Sequence, residues 1–552
     1  MSKFRFVAGS LVLVGVMACA DALVVDNTND PDRDRALSRP TDIEAFISNT
    51  YAQIQNATLG GSNDALQTQL QVMGMENTSA LANFAMGPRG AIPRTPIENT
   101  RNSTGGGGNY RDFQVLHRAA RMATIGIAAM NKLGTLGSPA VDARARAFAR
   151  FVQGVAYGNL ALAYDSASLV SETDDPQATQ PLSDYQTVMA AAYEMLDSAI
   201  VIARANPGSF PLPSAWISGN ALDTTGFFRF IRSYKARFRA SVGRTPAERA
   251  AADWTAIIAD ANAGITADLN IACNPTAGWD VIWPVQAYAT GPANWHQMSQ
   301  FWMGMADSSG GYDTWLATEP ANRAPFLVVT RDRRFPQGST RTAQIGDSLR
   351  TGFRTFTGFP YVRNRQAGED QPGQPLQISM YDFYRSRAFF VAGRIGNYPI
   401  MTRAEIRLLA AEGYLRAGNF AAAIARIDSS RVTNAGLPSL VGILDTLTAI
   451  PGGVSCVPRI PNAAVGFQAS KCGSVWDAMK WEYRMETAYA GYGMWYFAGR
   501  GWGDLPQGTA LYWPVPYQEM DTRAQTFYSA GGVGGVGGAP NGNYGLYAGG
   551  VY

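Results

Sequence analysis

Four positions along the chain carry the same local signal for starting a helix. Thr41 with Glu44, Ser183 with Gln186, Thr245 with Glu248 and Thr402 with Glu405 each set a hydroxyl three residues ahead of Glu or Gln. In such a capping box the hydroxyl takes the N3 amide and the N3 side chain reaches back, satisfying donors that a helix end leaves orphaned. Pro246 adds the favoured first helical position to the third box. Behind the boxes apolar residues recur at helical spacing: Tyr185, Met189, Ala192, Leu196, Ala199; Phe227, Phe230, Ile231, Tyr234, Phe238; and Phe148, Val152, Val155. Breakers at Gly105 to Gly108 and at Asn206-Pro207-Gly208 separate the blocks. A mostly α body is expected.

Later in the chain, Thr402 to Ala417 reads as a helix, Gly418-Asn419 as a turn, and Phe420 to Arg431 as a second helix with Phe420, Ile424 and Ile427 on one face. Small residues at Ala410, Gly413, Ala417 and Ala423 let the pair approach closely. This is the anatomy of a tetratricopeptide-like hairpin, although the period of about 34 residues is not sustained along the chain. From Ile271 to Ile400 the helical period fades and Pro, Gly and aromatics accumulate. A loop-rich, minor-β lobe is expected there, between two helical regions. After Met520 the chain becomes Gly-rich, with too little apolar side chain to fold alone.

The N-terminus sets the compartment. Lys3 and Arg5 precede an apolar run from Phe6 to Ala18, and Cys19 follows Val16-Met17-Ala18. Such a run rises roughly 20 Å as a helix, short of the roughly 30 Å of a bilayer core, so it reads as a secretory leader. The Cys behind a small residue resembles a bacterial lipobox, which makes Cys19 the expected lipidated mature terminus, anchored to membrane by its acyl chains. Asp26 to Asp34 is polar and turn-prone and reads as a tether. Its alternating Asp residues do not make a calcium loop, because Arg35 stands where an EF-hand needs Gly.

The mature chain of about 530 residues exceeds a single core, so two lobes or one layered body are expected. The formal charge of +3 includes Lys3 and Arg5, and no basic block remains to displace phosphate counterions, which argues against nucleic acid. Only His117 and His296 are present, with no paired-Cys motif, phosphate loop, nucleophile elbow or H-E-x-x-H, so neither metal, cofactor nor catalytic triad is expected. Cys456 and Cys472 bracket a Gly/Pro-rich loop and could close it, which a loop-entropy model values at roughly 3 kcal/mol. Cys273 is then free or an alternative partner.

Three stretches resemble one family. Arg403-Ala404-Glu405-Ile406-Arg407-Leu408-Leu409-Ala410-Ala411-Glu412-Gly413-Tyr414-Leu415-Arg416-Ala417-Gly418-Asn419, with the exit Ala435-Gly436-Leu437-Pro438, is the first. Trp481-Glu482-Tyr483-Arg484-Met485-Glu486, then Asp504 to Thr509 and Pro514-Val515-Pro516 with Glu519, is the second, and Asn29-Asp30-Pro31 to Tyr51 is the third. They resemble the SusD/RagB group of outer-membrane lipoproteins that capture nutrients for TonB-dependent transporters. Ala490, Tyr492 and Trp495 depart from that family's charged helix. The resemblance implies tetratricopeptide-like helix pairs (a SusD-like α superhelix) with an inserted loop-rich lobe, a cell-surface, lipid-anchored location in the outer membrane, and a SusC-like barrel transporter as partner. It implies ligand capture, not catalysis. The expected organisation is a signal peptide over 1–18, a lipidated tether over 19–40, helical regions over 41–270 and 401–520 flanking a ligand lobe over 271–400, and a Gly-rich tail over 521–552.

Ligand chemistry is expected where aromatics are densest. Trp279, Trp283, Trp295, His296, Trp302, Tyr312 and Trp315 are the candidate ligand contacts, interleaved with Asn294, Gln297, Gln300, Asp307 and Asp313. Flat rings beside amides and carboxylates suit an oligosaccharide or a peptide. The opposing reading is that a loop-rich lobe needs those rings for its own core. Trp495, Tyr496, Phe497, Arg500 and Trp502 form a second, more core-like group. Glu482, Arg484 and Glu486 read as an internal ion-pair cluster, with a glycosidase carboxylate pair as the minority alternative. A structural or adhesive surface scaffold is the other alternative function.

Overall fold

The computed structural model describes residues 33–60, 65–79, 85–92, 94–102, 107–175, 178–282, 296–349, 359–366 and 379–529. The leader, Cys19, most of the tether, Trp283, Trp295 and the Gly-rich run 531–538 lie outside the described residues. Helices dominate. The first half holds α1 (Pro40–Ser48), α2 (Thr50–Thr58), α3 (Leu66–Met73), α4 (Gly107–Leu133), α5 (Pro139–Ala163), α6 (Tyr185–Ala205), α7 (Thr224–Ser241) and α8 (Trp254–Asn262). The second half holds α9 (Arg403–Arg416), α10 (Phe420–Arg431), α11 (Val475–Thr487) and α12 (Met494–Trp502).

Strands appear only as two-stranded antiparallel pairs among the described residues. They are β1 (Asn77–Ser79) with β5 (His296–Met298), β2 (Ser166–Ser168) with β3 (Leu182–Asp184), β4 (Leu269–Cys273) with β8 (Gly396–Met401), β6 (Val362–Asn364) with β7 (Tyr381–Phe383), and β9 (Arg459–Pro461) with β10 (Ser470–Cys472). The β4–β8 pair runs from Leu269 opposite Met401 to Cys273 opposite Gly396, so it joins the two ends of the loop-rich stretch.

The core follows from the helical stripes. α5 packs along both α4 and α6, and Phe148, Val152, Val155, Met189, Ala192 and Leu196 are all buried there. α7 brings in Phe227, Phe230 and Phe238; a Cβ at Gly158 would sit 2.2 Å from the Phe238 ring, so only glycine lets α5 come this close. The hairpin of α9 and α10 turns at Gly418, whose φ of +71° suits glycine, and packs on α8 and α11.

Two of the four helix-start signals hold in their hydroxyl half, while Glu248 and Glu405 accept from Arg244 N and Arg237 instead of reaching back. The Thr245 and Thr402 hydroxyls accept from the amides of Glu248 and Glu405, at 3.1 Å each. The other two are corrected. α1 begins at Pro40 with Arg39 as its N-cap, so Thr41 lies inside the helix; proline fixed at the first position outweighs the hydroxyl. Ser183 lies in β3, and Asp184 caps α6 instead by accepting from Thr187 N at 2.9 Å. The reciprocal box in the described chain is Ser474 with Asp477, at the start of α11. Within the segment expected to be a tether, Arg33–Ala36 forms one helical turn.

Cys456 and Cys472 are disulfide-bonded, and Cys273 is a buried free thiol. No helix among the described residues is long and apolar enough to cross a membrane.

Candidate functional site

The aromatic stretch divides sharply. Trp302 is 1% exposed; the Arg484 guanidinium lies 3.6 Å over its ring and Trp495 meets it edge-on at 6.3 Å. Tyr312 and Trp315 are also buried, stacked at 6.0 Å, with Arg323 lying 4.3 Å over Trp315. These three rings, expected as ligand contacts, belong to the core, because a loop-rich lobe without long helices must bury flat side chains to exclude water. Asp307 and Asp313 are occupied as well: the first accepts from Tyr312 N and Val329 N, the second from Ser470 N. Trp495, Tyr496, Phe497, Arg500 and Trp502 are all buried in and around α12.

Trp279 differs. It is half-buried, stacked at 6.5 Å on Tyr51 of α2. The next residues are strapped to the helical body, with Ile282 N donating to Leu59 O at 2.9 Å and Arg394 pairing Asp280 at 2.8 Å. His296 resumes the described chain in β5, opposite Ser79. Trp283 and Trp295 fall between these fixed ends. Asn77, which opens β1, and Gln300, two residues past β5, are buried amides with neither oxygen nor nitrogen hydrogen-bonded among the described residues.

A cavity of about 490 Å³ opens elsewhere, between α4, Leu37 and the 170–180 segment. Ile125, Ala128 and Leu133 give it an apolar floor, and Arg121, Lys132, Glu172 and Asp174 give it charge. Burial alone would raise the Glu172 pKa, but hydrogen bonds from Arg150 outweigh it and hold the carboxyl below its usual value. The volume lies in the range of small-molecule sites. No aromatic side chain lines it among the described residues.

The Glu482 cluster is structural and its partner is not Arg484. Arg334 reaches from the loop-rich stretch to Glu482 at 2.7 Å, Glu486 at 3.2 Å and Asp332 at 2.7 Å, with Arg334, Asp332 and Glu482 wholly buried. Arg484 instead pairs Asp504 at 2.7 Å. Both oxygens of Glu482 accept from Arg334 inside a wholly buried cluster. Among the described residues no His, Cys, Asp and Glu group could hold a metal ion.

The sequence matches no family model and no curated protein. Solved structures do match it. A SusD superfamily protein from Bacteroides vulgatus superposes with a TM-score of 0.51 over 88% of this chain and 90% of its own, at 12% identity. The chain has the SusD-like fold. A SusD-like protein from Bacteroides fragilis (TM-score 0.48, 14% identity, 85% and 87% covered) and a SusD superfamily protein from Bacteroides thetaiotaomicron (0.47, 10%, 84% and 89%) are similar at lower scores.

The SusD-like body also holds an acid that sequence reasoning missed. Glu76, just before β1, is 3% exposed and accepts from Tyr489 N. Burial pushes its pKa up to about 8, against the lowering by the hydrogen bond from Tyr489 N. A raised pKa contributes stability that is complete below the unfolded value near 4.5 and is lost as the pH climbs through 8. Asp112 and Asp165, both raised to about 6, act with the same sign over a lower window. Glu76→Gln is therefore expected to match the parent melting temperature near pH 5 and exceed it at pH 8.5. Parallel melting curves of the two proteins across that range would contradict this.

Proposed function

We propose that this chain is a non-catalytic, lipid-anchored receptor at the cell surface that captures an oligosaccharide or a peptide and delivers it to a TonB-dependent, SusC-like outer-membrane transporter. The SusD-like fold over nearly nine-tenths of the chain is the observation that carries the reading. The leader and the lipobox-like Cys19 support the anchored location. Trp279 supports the ligand assignment as the half-buried ring at the border of the aromatic stretch, and Trp283, Trp295 and His296 are its proposed companions. Stacking on one or two rings gives modest affinity, about 4–8 kcal/mol or millimolar to micromolar, which allows release to a transporter.

A glycan and peptide array probed with residues 20–552 tests this. Binding of one ligand class, reduced about tenfold or more by Trp279→Ala, Trp283→Ala or Trp295→Ala and unchanged by an exposed-surface substitution, is expected. Silence on both arrays, or binding indifferent to all three substitutions, would overturn it.

A further inference from the structure

A second cavity, of about 180 Å³, lies where α9 begins, lined by Thr402, Arg403, Arg407, Arg385, Asp268 and Glu486 among others. Each of its two carboxylates has a partner. Asp268 accepts the Arg403 backbone N–H at 2.8 Å, and Glu486 is held by Arg334 at 3.2 Å and Tyr361 at 3.3 Å, with Arg385 at 3.9 Å. Arg407 has no such partner: it makes no hydrogen bond or ion pair among the described residues, and its Nε is sealed from solvent without an acceptor. Burial lowers its pKa below the arginine norm and repulsion from Arg403 adds to it, against the attraction of Glu486, Glu482 and Asp268. The facing end of α10 offers little compensation, because its exit carbonyls are already taken; Arg333 donates to Asn434 O at 2.7 Å.

Arg407 thus keeps its donors free of any protein acceptor among the described residues, and a carboxylate, sulfate or phosphate oxygen is the group that matches them. The first turn of α9 adds the positive end of a 14-residue helix. We infer that this cavity is a binding site for a small oxyanion, held by Arg407 and Arg403 and separate from the aromatic stretch. The volume admits one tetrahedral ion or the acid group of a single sugar residue, not an oligomer. The site therefore recognises either a free inorganic anion or the acidic substituent of a uronate.

Titration calorimetry of the full chain with sulfate, phosphate, galacturonate and galactose, at constant ionic strength set by chloride, tests the inference. Saturable binding of at least one oxyanion and none of galactose is expected. Galacturonate binding displaced by sulfate would identify a sugar-borne acid, and sulfate or phosphate binding alone would identify a free ion. Arg407→Gln removes no internal bond, so it should melt at or above the parent temperature while weakening oxyanion binding about tenfold or more. Absence of saturable binding for all three anions, binding retained in both Arg407→Gln and Arg403→Gln, or an Arg407→Gln protein that fails to fold would each overturn it.

Discussion

Arg334→Met is expected to destabilise the protein by about 3–5 kcal/mol, because it leaves buried carboxylates without their counter-ion. Arg334 donates to Asp332, Glu482 and Glu486, and its carbonyl accepts from Tyr361 N at 2.7 Å and Val362 N at 3.1 Å. It thus ties the loop-rich stretch to α11 at a point with no solvent to replace it. Burial already raises the Glu482 pKa, against the lowering by Arg334. Without the guanidinium that rise grows, so the variant should regain stability as the pH falls and its carboxyls take up protons. Glu482→Gln in the same background should recover part of the loss, since one buried charge is removed. Thermal melts of the three proteins at pH 5 and pH 8 read this directly. A single variant melting within a degree or two of the parent at both pH values would contradict the assigned role.

Glu412→Ala is expected to cost a similar amount, about 3–5 kcal/mol, with a gap that also narrows in acid, here because the parent loses stability. Glu412 on α9 accepts from Arg249 at 2.6 and 2.9 Å, from Arg416 at 2.9 Å and from Trp502 Nε1 at 3.1 Å. Arg249 and Glu412 are both wholly buried, and the Trp254 and Trp502 rings flank the guanidinium at 5.6 and 5.1 Å. The pair fastens the early helices to the C-terminal ones. Burial pushes the Glu412 pKa up, but Arg249 and Arg416 outweigh it, so the carboxyl is held below its ordinary value. A lowered pKa contributes stability that is present above the unfolded value of about 4.5 and lost as the pH falls through the folded one. The variant should therefore lie furthest below the parent at neutral pH and approach it in acid. Denaturant unfolding at pH 7 and pH 3.5 measures the gap, and an equal gap at both would contradict the assignment.

Local signals made much of the fold legible. The α9–α10 hairpin could be read because its cap Thr402, its turn at Gly418 and its small residues all act within a few positions of one another. Thr41 and Ser183 misled because Pro40 and Asp184, one residue away, are equally good starters, and a one-residue choice depends on tertiary packing. The candidate site was far less legible. Trp302 and Trp315 have the same composition signature whether they meet a ligand or an arginine, and the arginine over Trp302 comes from Arg484, far along the chain. Glu482 was readable as an internal ion-pair member, but its partner Arg334 lies in a different region and no periodicity announces it. Arg407 sits in the most recognisable helix of the chain, yet only its missing partner marks it out.

The most direct measurement is affinity purification of the full-length chain from detergent-solubilised membranes, followed by mass spectrometry of every co-purifying protein and of the mature N-terminus. A surface receptor of this kind should start at an acylated Cys19 and bring a TonB-dependent barrel with it in near-equal amount. A chain recovered from the aqueous fraction with an unmodified terminus and no barrel would contradict the reading.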